Sequence, residues 1–487
     1  MSPRRPPTAP SSRGAKDPRP APQGEGPVPG VIGLGHVGLA TAVAFAHYGH
    51  RVLGLEADPG HAQAIARGEP WFQEPGLREE LRRALASRRL EVAPTREVLL
   101  VGSSVLLLCL PTPSRADGAV DLRMLEEEAR TLSKALQGTP DPPVVVVKST
   151  SPPETARRIR TLLNEGRAAT LPPVPVAVNP EFLAEGTMVK DSLHPSRIVV
   201  GAEDRGVAER VLAVYQGFPG ERVFLSPEEA SLAKYASNAL LASRVSFVNE
   251  LSRICERSGA DVYRVAQAVG LDPRIGPDFL RAGPGFGGSC FPKDLRGLEF
   301  LGRSLGEETL LLRAIQAVNE GQSRHTVDRL EEALGLLAGR TLALLGLSFK
   351  AGTDDVRESR AFPILGELLK RGALARLHDP EALENFRREL PALLRSEEAV
   401  KFCSTLEEAL EGSDAALVLV DWPEYRAAPA TRWAGLRSRT VLDARRSLDE
   451  ERLEAAGVRY LALGRDPRIG PGRPESPSRA LRERRTP

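Results

Sequence analysis

Cysteine, tryptophan and methionine are scarce in this chain, at four, three and three of 487 residues. Cys109, Cys255, Cys290 and Cys403 are far apart, and none forms a CxxC pair. That spacing gives no zinc site and no disulfide framework, so no metal is expected and four free thiols in a reducing compartment are. No apolar run approaches the ~20 residues that span a bilayer, and the N-terminus lacks a signal-peptide core. The expected location is the cytoplasm, away from membranes. One-sided charge is also missing. The formal net charge is +2, which offers no overall basic field for nucleic acid. Residues 1–27 hold five Lys/Arg against two Asp/Glu, and residues 466–487 hold six against three. Each tail is thus +3, leaving about −4 for the body. Both tails are rich in Pro, Arg and Ser, and are expected to be disordered and solvated.

The body is rich in what folds. Hydrophobic residues make up 41% and charged residues 27%, as in an ordinary globular protein. Chains beyond about 250–300 residues split, so two or three domains are expected. VIGLGHVGLATAVAFAHYGHRVLGLEAD (residues 31–58) reads as strand, glycine turn, small-residue helix and second strand. Within that unit Gly33 permits the tight turn, Gly35 lets backbone approach a pyrophosphate, and Gly38 lets the helix pack on the strand. The helix N-terminus then presents unpaired N–H groups to the phosphates. Glu56 ends the second strand, 23 residues after Gly33. An acid there accepts from both ribose hydroxyls and repels a 2′-phosphate, which selects NAD over NADP. Asp58 is a weaker candidate for the same role and otherwise a turn residue before Pro59. Pro29 and Gly30 fall where the first strand should run. Because proline cannot donate to a ladder, the strand is expected to start at Val31.

Buried-strand runs follow at 103–113, 143–150 and 175–182, each ending in polar or turn residues. Ligands of doubly wound sheets lie beyond the carboxyl ends of strands. Thr112, Ser149, Thr150, Asn179 and Glu181 all sit at such ends. From Ser226 to Ser258 the pattern turns helical, with Ser226 as cap, Pro227 in the first turn and Glu228–Glu229 at the positive end. Such a helix is long enough to join two domains and to form a dimer contact. Lys234 and Asn238 share one of its faces. Four more strand-like runs, in 339–350, 373–380, 415–422 and 439–448, predict a second α/β domain whose first turn, GLSFKAG, lacks GxGxxG. That domain suits a nucleotide carried by a substrate better than a second NAD. The expected fold is α/β: two Rossmann-like doubly wound domains joined by a long central helix and a helical region. The boundaries are 28–225 for the NAD domain, 226–332 for a central dimerisation region and 333–465 for the last domain. DPRIG occurs at 272–276 and 466–470 in unlike contexts, a chance repeat. In GFGGSCFPKD (285–294) spacing removes a metal or disulfide role for Cys290. Packing and nucleophilic roles both remain.

GLGHVG, QEPGL (73–77), KST (148–150), NPEFLAEGT (179–187), KYASNALLASRVSFVNE (234–250), DPRIG, GFGGSCFPKD, SFK (348–350) and DDVRES (354–359) together resemble the nucleotide-sugar dehydrogenases of the UDP-glucose/GDP-mannose dehydrogenase family. The resemblance covers about residues 31–450. It implies an NAD-binding first domain, a dimer-forming middle and a UDP-binding last domain. The implied reaction is oxidation of UDP-glucose by two NAD and water to UDP-glucuronate. RIG after Asp272 favours UDP-glucose over GDP-mannose, the rival substrate. A non-catalytic NAD- or UDP-sugar-binding regulator is the reading from another class, and the intact Cys290, Lys234 and Asp294 speak against it.

The family chemistry gives Cys290 a task. A thiolate adds to the aldehyde left by the first hydride transfer, and the resulting thiohemiacetal yields a second hydride and becomes a thioester, which water cleaves. Lys293 and Lys234 are expected to favour the thiolate. By the same resemblance Lys234 steadies the oxyanion, Asp294 positions water and accepts a proton, and Glu181 assists thioester hydrolysis. Thr150 holds a water, and Asn238 contacts substrate and intermediate. Phe182, Leu183, Phe286, Gly287, Lys350 and Arg445 match UDP-sugar contacts, and Arg274 matches an arginine that reaches the partner subunit's site. His36, Val37, Thr112, Thr150, Glu185, Lys293 and Arg357 join the glycines and Glu56 on the cofactor side. His36, Pro111, Glu154 and Ser231 depart from the family pattern without removing a catalytic group, and Pro111 restricts a loop near the cofactor.

Overall fold

The computed structural model describes residues 26–466, so nearly all of both tails lies outside the described residues. The first sheet has eight strands: β1 (Pro29–Ile32), β2 (Val52–Leu55), β3 (Leu90–Val92), β4 (Val105–Leu108), β5 (Val144–Val147), β6 (Val176–Val178), β7 (Arg197–Ala202) and β8 (Glu221–Leu225). Their order is β3-β2-β1-β4-β5-β6-β7-β8, parallel throughout except between β6 and β7. The first six strands follow the doubly wound Rossmann order. Side chains alternate across the sheet. Val31, Leu107 and Val146 enter the core on one face, while Ile32, Leu106, Leu108, Val145 and Val147 enter the core on the other. A parallel sheet covered on both faces needs such unbroken apolar runs.

Strand β1 begins at Pro29, not Val31: Pro29 pairs with Val105 and Gly30 with both Leu106 and Leu53. Proline fits here because it is the strand's first residue, where the ladder loses little by lacking its N–H. Gly30 is needed for packing, since a Cβ on it would lie 2.5 Å from Ser103 Oγ.

The central helix runs Pro227–Ser258, 32 residues and about 48 Å. Ser226 and Glu229 close a reciprocal capping box at its start, and Gly259, at φ 74°, ends it. Two further helices, Phe291–Ser304 and Leu310–Leu334, pack on it through Ala239, Ala242, Leu295 and Ile315. Among the described residues no helix is long and apolar enough to cross a membrane.

The second sheet comprises β9 (Thr341–Leu345), β10 (Leu374–His378), β11 (Val400–Phe402), β12 (Ala415–Val418), β13 (Thr440–Asp443) and β14 (Arg459–Ala462), all parallel, in the order β11-β10-β9-β12-β13-β14. That repeats the order of β1–β6, and the first turns match as well. Gly33 N donates to Leu55 O at 2.8 Å, and Gly346 N to His378 O at 2.9 Å. Leu34 N donates to Glu56 Oε2 at 2.9 Å, and Leu347 N to Asp379 Oδ2 at 2.7 Å. The two acids differ in access. Glu56 is half-buried, whereas Asp379 is only 3% exposed and also accepts from Ser348 N and Trp422 Nε1. Strands β3, β7, β8, β11 and β14 were not among the sequence expectations. The central helices join the second sheet through Arg446–Asp261 and through Gly464 N on Glu256.

Candidate active site

The turn after β1 is built to leave room. A Cβ on Gly38 would lie 1.8 Å from Gly33 O, and one on Gly33 would lie 2.6 Å from Cys109 O, so both places are filled by backbone. Gly35 caps the helix His36–His47, and a Cβ there would meet nothing within 4 Å. That open space in front of a helix N-terminus fits a dinucleotide pyrophosphate. Glu56 grips the turn from the end of β2. Asp58 instead caps the helix Pro59–Ala66 by accepting from His61 N at 2.8 Å, which is the turn-residue role. His36 stacks on Phe72 at 4.0 Å, and Val37 follows it in the first helical turn. Burial, then the nearby Arg357, pushes the His36 imidazole down to about 4. Thr112 Oγ1 donates to the Thr150 carbonyl at 2.9 Å, tying the ends of β4 and β5.

The proposed reaction residues converge from three parts of the chain. Lys234 and Asn238, four apart on the central helix, are buried rather than an exposed polar pair. Lys234 Nζ is 2.9 Å from Glu181 Oε1, beyond the end of β6. Asn238 Nδ2 donates to Asp294 Oδ2 at 2.5 Å, and Lys293 Nζ to Asp294 Oδ1 at 2.6 Å. Cys290 caps the helix that carries Asp294. The expected thiolate is not favoured here. Burial and then Glu181 push the Cys290 thiol up to about 11, against the pull of Lys234. Lys293 spends its charge on Asp294. The other three cysteines are free thiols, and Cys109 lies behind the glycine turn.

The cysteine loop is held by buried amides that sequence reasoning missed. Asn319 brackets Phe286, accepting from its N–H at 2.7 Å and donating to its carbonyl at 3.0 Å. Asn249 accepts from Gly283 N, and Gln322 donates to Gly283 O. Asn249 lies in a quoted motif, but only the fold shows that it faces the loop. Gly287 admits the second domain, because a Cβ there would lie 2.2 Å from Glu358 O. Glu74 of QEPGL, also missed, accepts from Gly186 N and Met188 N, fixing the segment that carries Glu181 and Glu185. Leu183 N donates to Glu181 Oε2, and Phe182 lies under Arg197 and Lys234. From the second domain, Lys350 Nζ donates to the Glu185 carbonyl, and Arg357 pairs with both Asp355 and Glu185. Arg445, after β13, donates through Nε to Leu419 O. Arg274 is exposed, pairs with Asp272, and is not part of this chain's own site.

Comparison with known proteins agrees with this layout. Three models of the UDP-glucose/GDP-mannose dehydrogenase family match: the NAD binding domain at residues 29–219, the central domain at 228–321 and the UDP binding domain at 343–450. A UDP-glucose 6-dehydrogenase of Bacillus subtilis is 37% identical over 436 residues, 89% of this chain and 97% of its own. One from Haloferax volcanii is 38% identical over 424 residues, 85% of this chain and 96% of its own. The solved structure of a UDP-glucose dehydrogenase from Pyrobaculum islandicum is 38% identical, with a TM-score of 0.82, covering 91% of this chain and 99% of that one. The three domains of the family thus follow in order along this chain, and the chain belongs to the UDP-glucose/GDP-mannose dehydrogenase family.

Proposed function

We propose that this chain is an NAD-dependent UDP-glucose 6-dehydrogenase that makes UDP-glucuronate through a thioester on Cys290. The observation that carries the reading is the convergence of Cys290 with the buried Lys234–Glu181 and Asn238–Asp294 pairs. NAD, when bound, accepts the hydride in each of two oxidations at the sugar's C6. Residues 28–225 hold the cofactor, 333–465 the uridine diphosphate, and 226–332 carry the nucleophile between them. Lys234 holds the C6 oxygen as negative charge develops on it. Cys290 adds to the aldehyde carbon and keeps it bound between the two oxidations. Asp294, Glu181 and Thr150 then direct water at the thioester. Asn238, Phe182, Leu183, Phe286, Gly287, Lys350 and Arg445 line the path of the UDP-sugar.

The same reading includes a homodimer. Leu240, Phe247 and Ile254 are 65%, 59% and 59% exposed and seven residues apart, one stripe along the central helix. Arg244 of that helix donates to the Ile275 and Gly276 carbonyls, which supports a role for the neighbouring Arg274 at a partner's site.

The test is the yield of NADH from limiting UDP-glucose, with GDP-mannose in parallel. Two NADH per UDP-glucose, with Cys290→Ser losing full turnover, is the expected result. A single NADH would sink the thioester route, and two from GDP-mannose would change the substrate.

A further inference from the structure

The Cys290 thiol must lose a proton before sulfur can bond to carbon, and three carboxylates lie near it. Two are already committed. The oxygens of Asp294 accept from Asn238 and Lys293. Those of Glu181 accept from Lys234 and from Leu183 N. Glu185 is the third. Its Oε1 accepts from Ser289 Oγ at 2.8 Å and more distantly from Arg357 Nη2 at 3.4 Å, and the Ser289 hydroxyl is 3.5 Å from Cys290 Sγ. Its side chain is 11% exposed, and its Oε2 is buried without a donor.

Resting on the thioester reading above, we propose that Ser289 and Glu185 carry the Cys290 proton away as sulfur attacks the aldehyde. In that step the Sγ–H bond breaks and an Sγ–C6 bond forms. The C6 carbonyl pair moves onto oxygen, held by Lys234. The thiol proton passes to Ser289 Oγ while the Ser289 proton passes to Glu185 Oε1. No electrons are gained or lost. After hydrolysis the thiolate recovers its proton by the same route.

The surroundings of Glu185 suit an acceptor that works near neutrality. Burial and then the Asp355 carboxylate, which shares a hydrogen bond and its titration with Glu185, push Glu185 up to about 7, against Arg357 and the Ser289 hydrogen bond. The other groups around it are Lys350 on its carbonyl, Glu74 on Gly186 N, and Cys290 beyond Ser289. His36, pushed down to about 4, is neutral in that range. Glu185 accepts only when ionised, so the thiol's reactivity rises with pH through about 7.

A bare charge effect has the opposite sign. A carboxylate near a thiol disfavours the thiolate, so removing that charge speeds the sulfur. The test is alkylation of Cys290 in the full-length protein by iodoacetamide, without substrate or NAD, from pH 6 to pH 9, with the labelled cysteine located by mass spectrometry. Relay transfer predicts that Glu185→Gln and Ser289→Ala each slow alkylation near neutrality by roughly 10²-fold and replace a rise that levels above neutrality with one that keeps climbing toward the thiol's own range, on the scale of general-base catalysis. Ser289→Thr, which keeps a hydroxyl, restores most of the rate. An unchanged or faster Glu185→Gln, or an unchanged Ser289→Ala, overturns the relay. If Glu185→Gln does not fold, the two Ser289 variants decide alone. NADH stoichiometry of the unaltered enzyme is measured separately. Two NADH with insensitive alkylation removes the relay and leaves the thioester route. One NADH removes the step the relay serves.

Discussion

Lys234 and Glu181 are opposite charges 2.9 Å apart, with side chains 3% and 9% exposed. Taking away the ammonium leaves a buried carboxylate alone, a loss of about 3–5 kcal/mol. Lys234→Ala should therefore lower the urea midpoint at pH 7 and also reduce kcat by roughly 10²–10³, as for a lost oxyanion donor. The pH dependence follows from both partners. Burial pushes the Glu181 carboxyl up, but Lys234, Leu183 N and Lys148 together outweigh it and the net shift is down. Its stabilisation is present above the ordinary carboxylate range and lost as pH falls through the lowered value. Burial pulls Lys234 down, while Glu181, Cys290 and Asp294 together outweigh it and raise it. Its contribution is full below the ordinary lysine range and lost as pH rises through the raised value. Urea titrations should thus show the deficit of Lys234→Ala at pH 7 and a shrinking deficit in acid. An undiminished deficit at pH 3 would assign the loss to packing. At this scale the motifs singled out Cys290, Lys234 and Asp294 as candidates, and the fold brings them together. The motifs did not disclose the protonated state of the thiol. That depends on how deeply the fold seats it and on Glu181 beside it, neither of which is a local property.

The glycine turn makes a sharper distinction than its motif suggests. Gly38→Ala puts a methyl group into Gly33 O, so it should lower stability and NAD affinity together. Gly35→Ala meets no protein atom and, at φ −72°, suits any residue. It should leave the melting temperature within the range of a neutral surface change while weakening NAD binding tenfold or more, about 1.4 kcal/mol. Paired thermal scans and NAD titrations check both, and equal melting losses would show that Gly35 also serves packing. The elements legible in advance were those with strong local signals: β1 with its glycine turn, the capped central helix, and the buried valine and leucine runs. Of the missed strands, β3, β8 and β11 lacked them, whereas β7, RIVVGA, carries a buried run that was overlooked. Strands β3 and β11 are three-residue edges with one residue fully turned outward, and β8 is exposed along much of its length. Their hydrogen bonds come from a neighbour already in place. Pro29 misled for a related reason, since its effect depends on its place in the ladder.

Across the whole molecule, the exposed stripe Leu240–Phe247–Ile254 is the largest departure of the central helix from a polar outer face. Phe247→Asp should convert a dimer to folded monomers in sedimentation equilibrium, and an unchanged mass would move the interface elsewhere. The domain order was legible because each stretch has its own period and motif, whereas the amides of Asn249, Asn319 and Gln322 that hold the cysteine loop were not. The shared strand order of the two sheets reaches further. Both halves use one construction, down to a carboxylate at the end of the second strand gripping the turn after the first. In the first half that acid is left within reach of a ligand, and in the second it is sealed beneath Trp422. The two halves thus share one frame and differ in where it is open: an acid sealed in protein cannot accept from a ribose, so of the two turns only the first can grip a dinucleotide in that way.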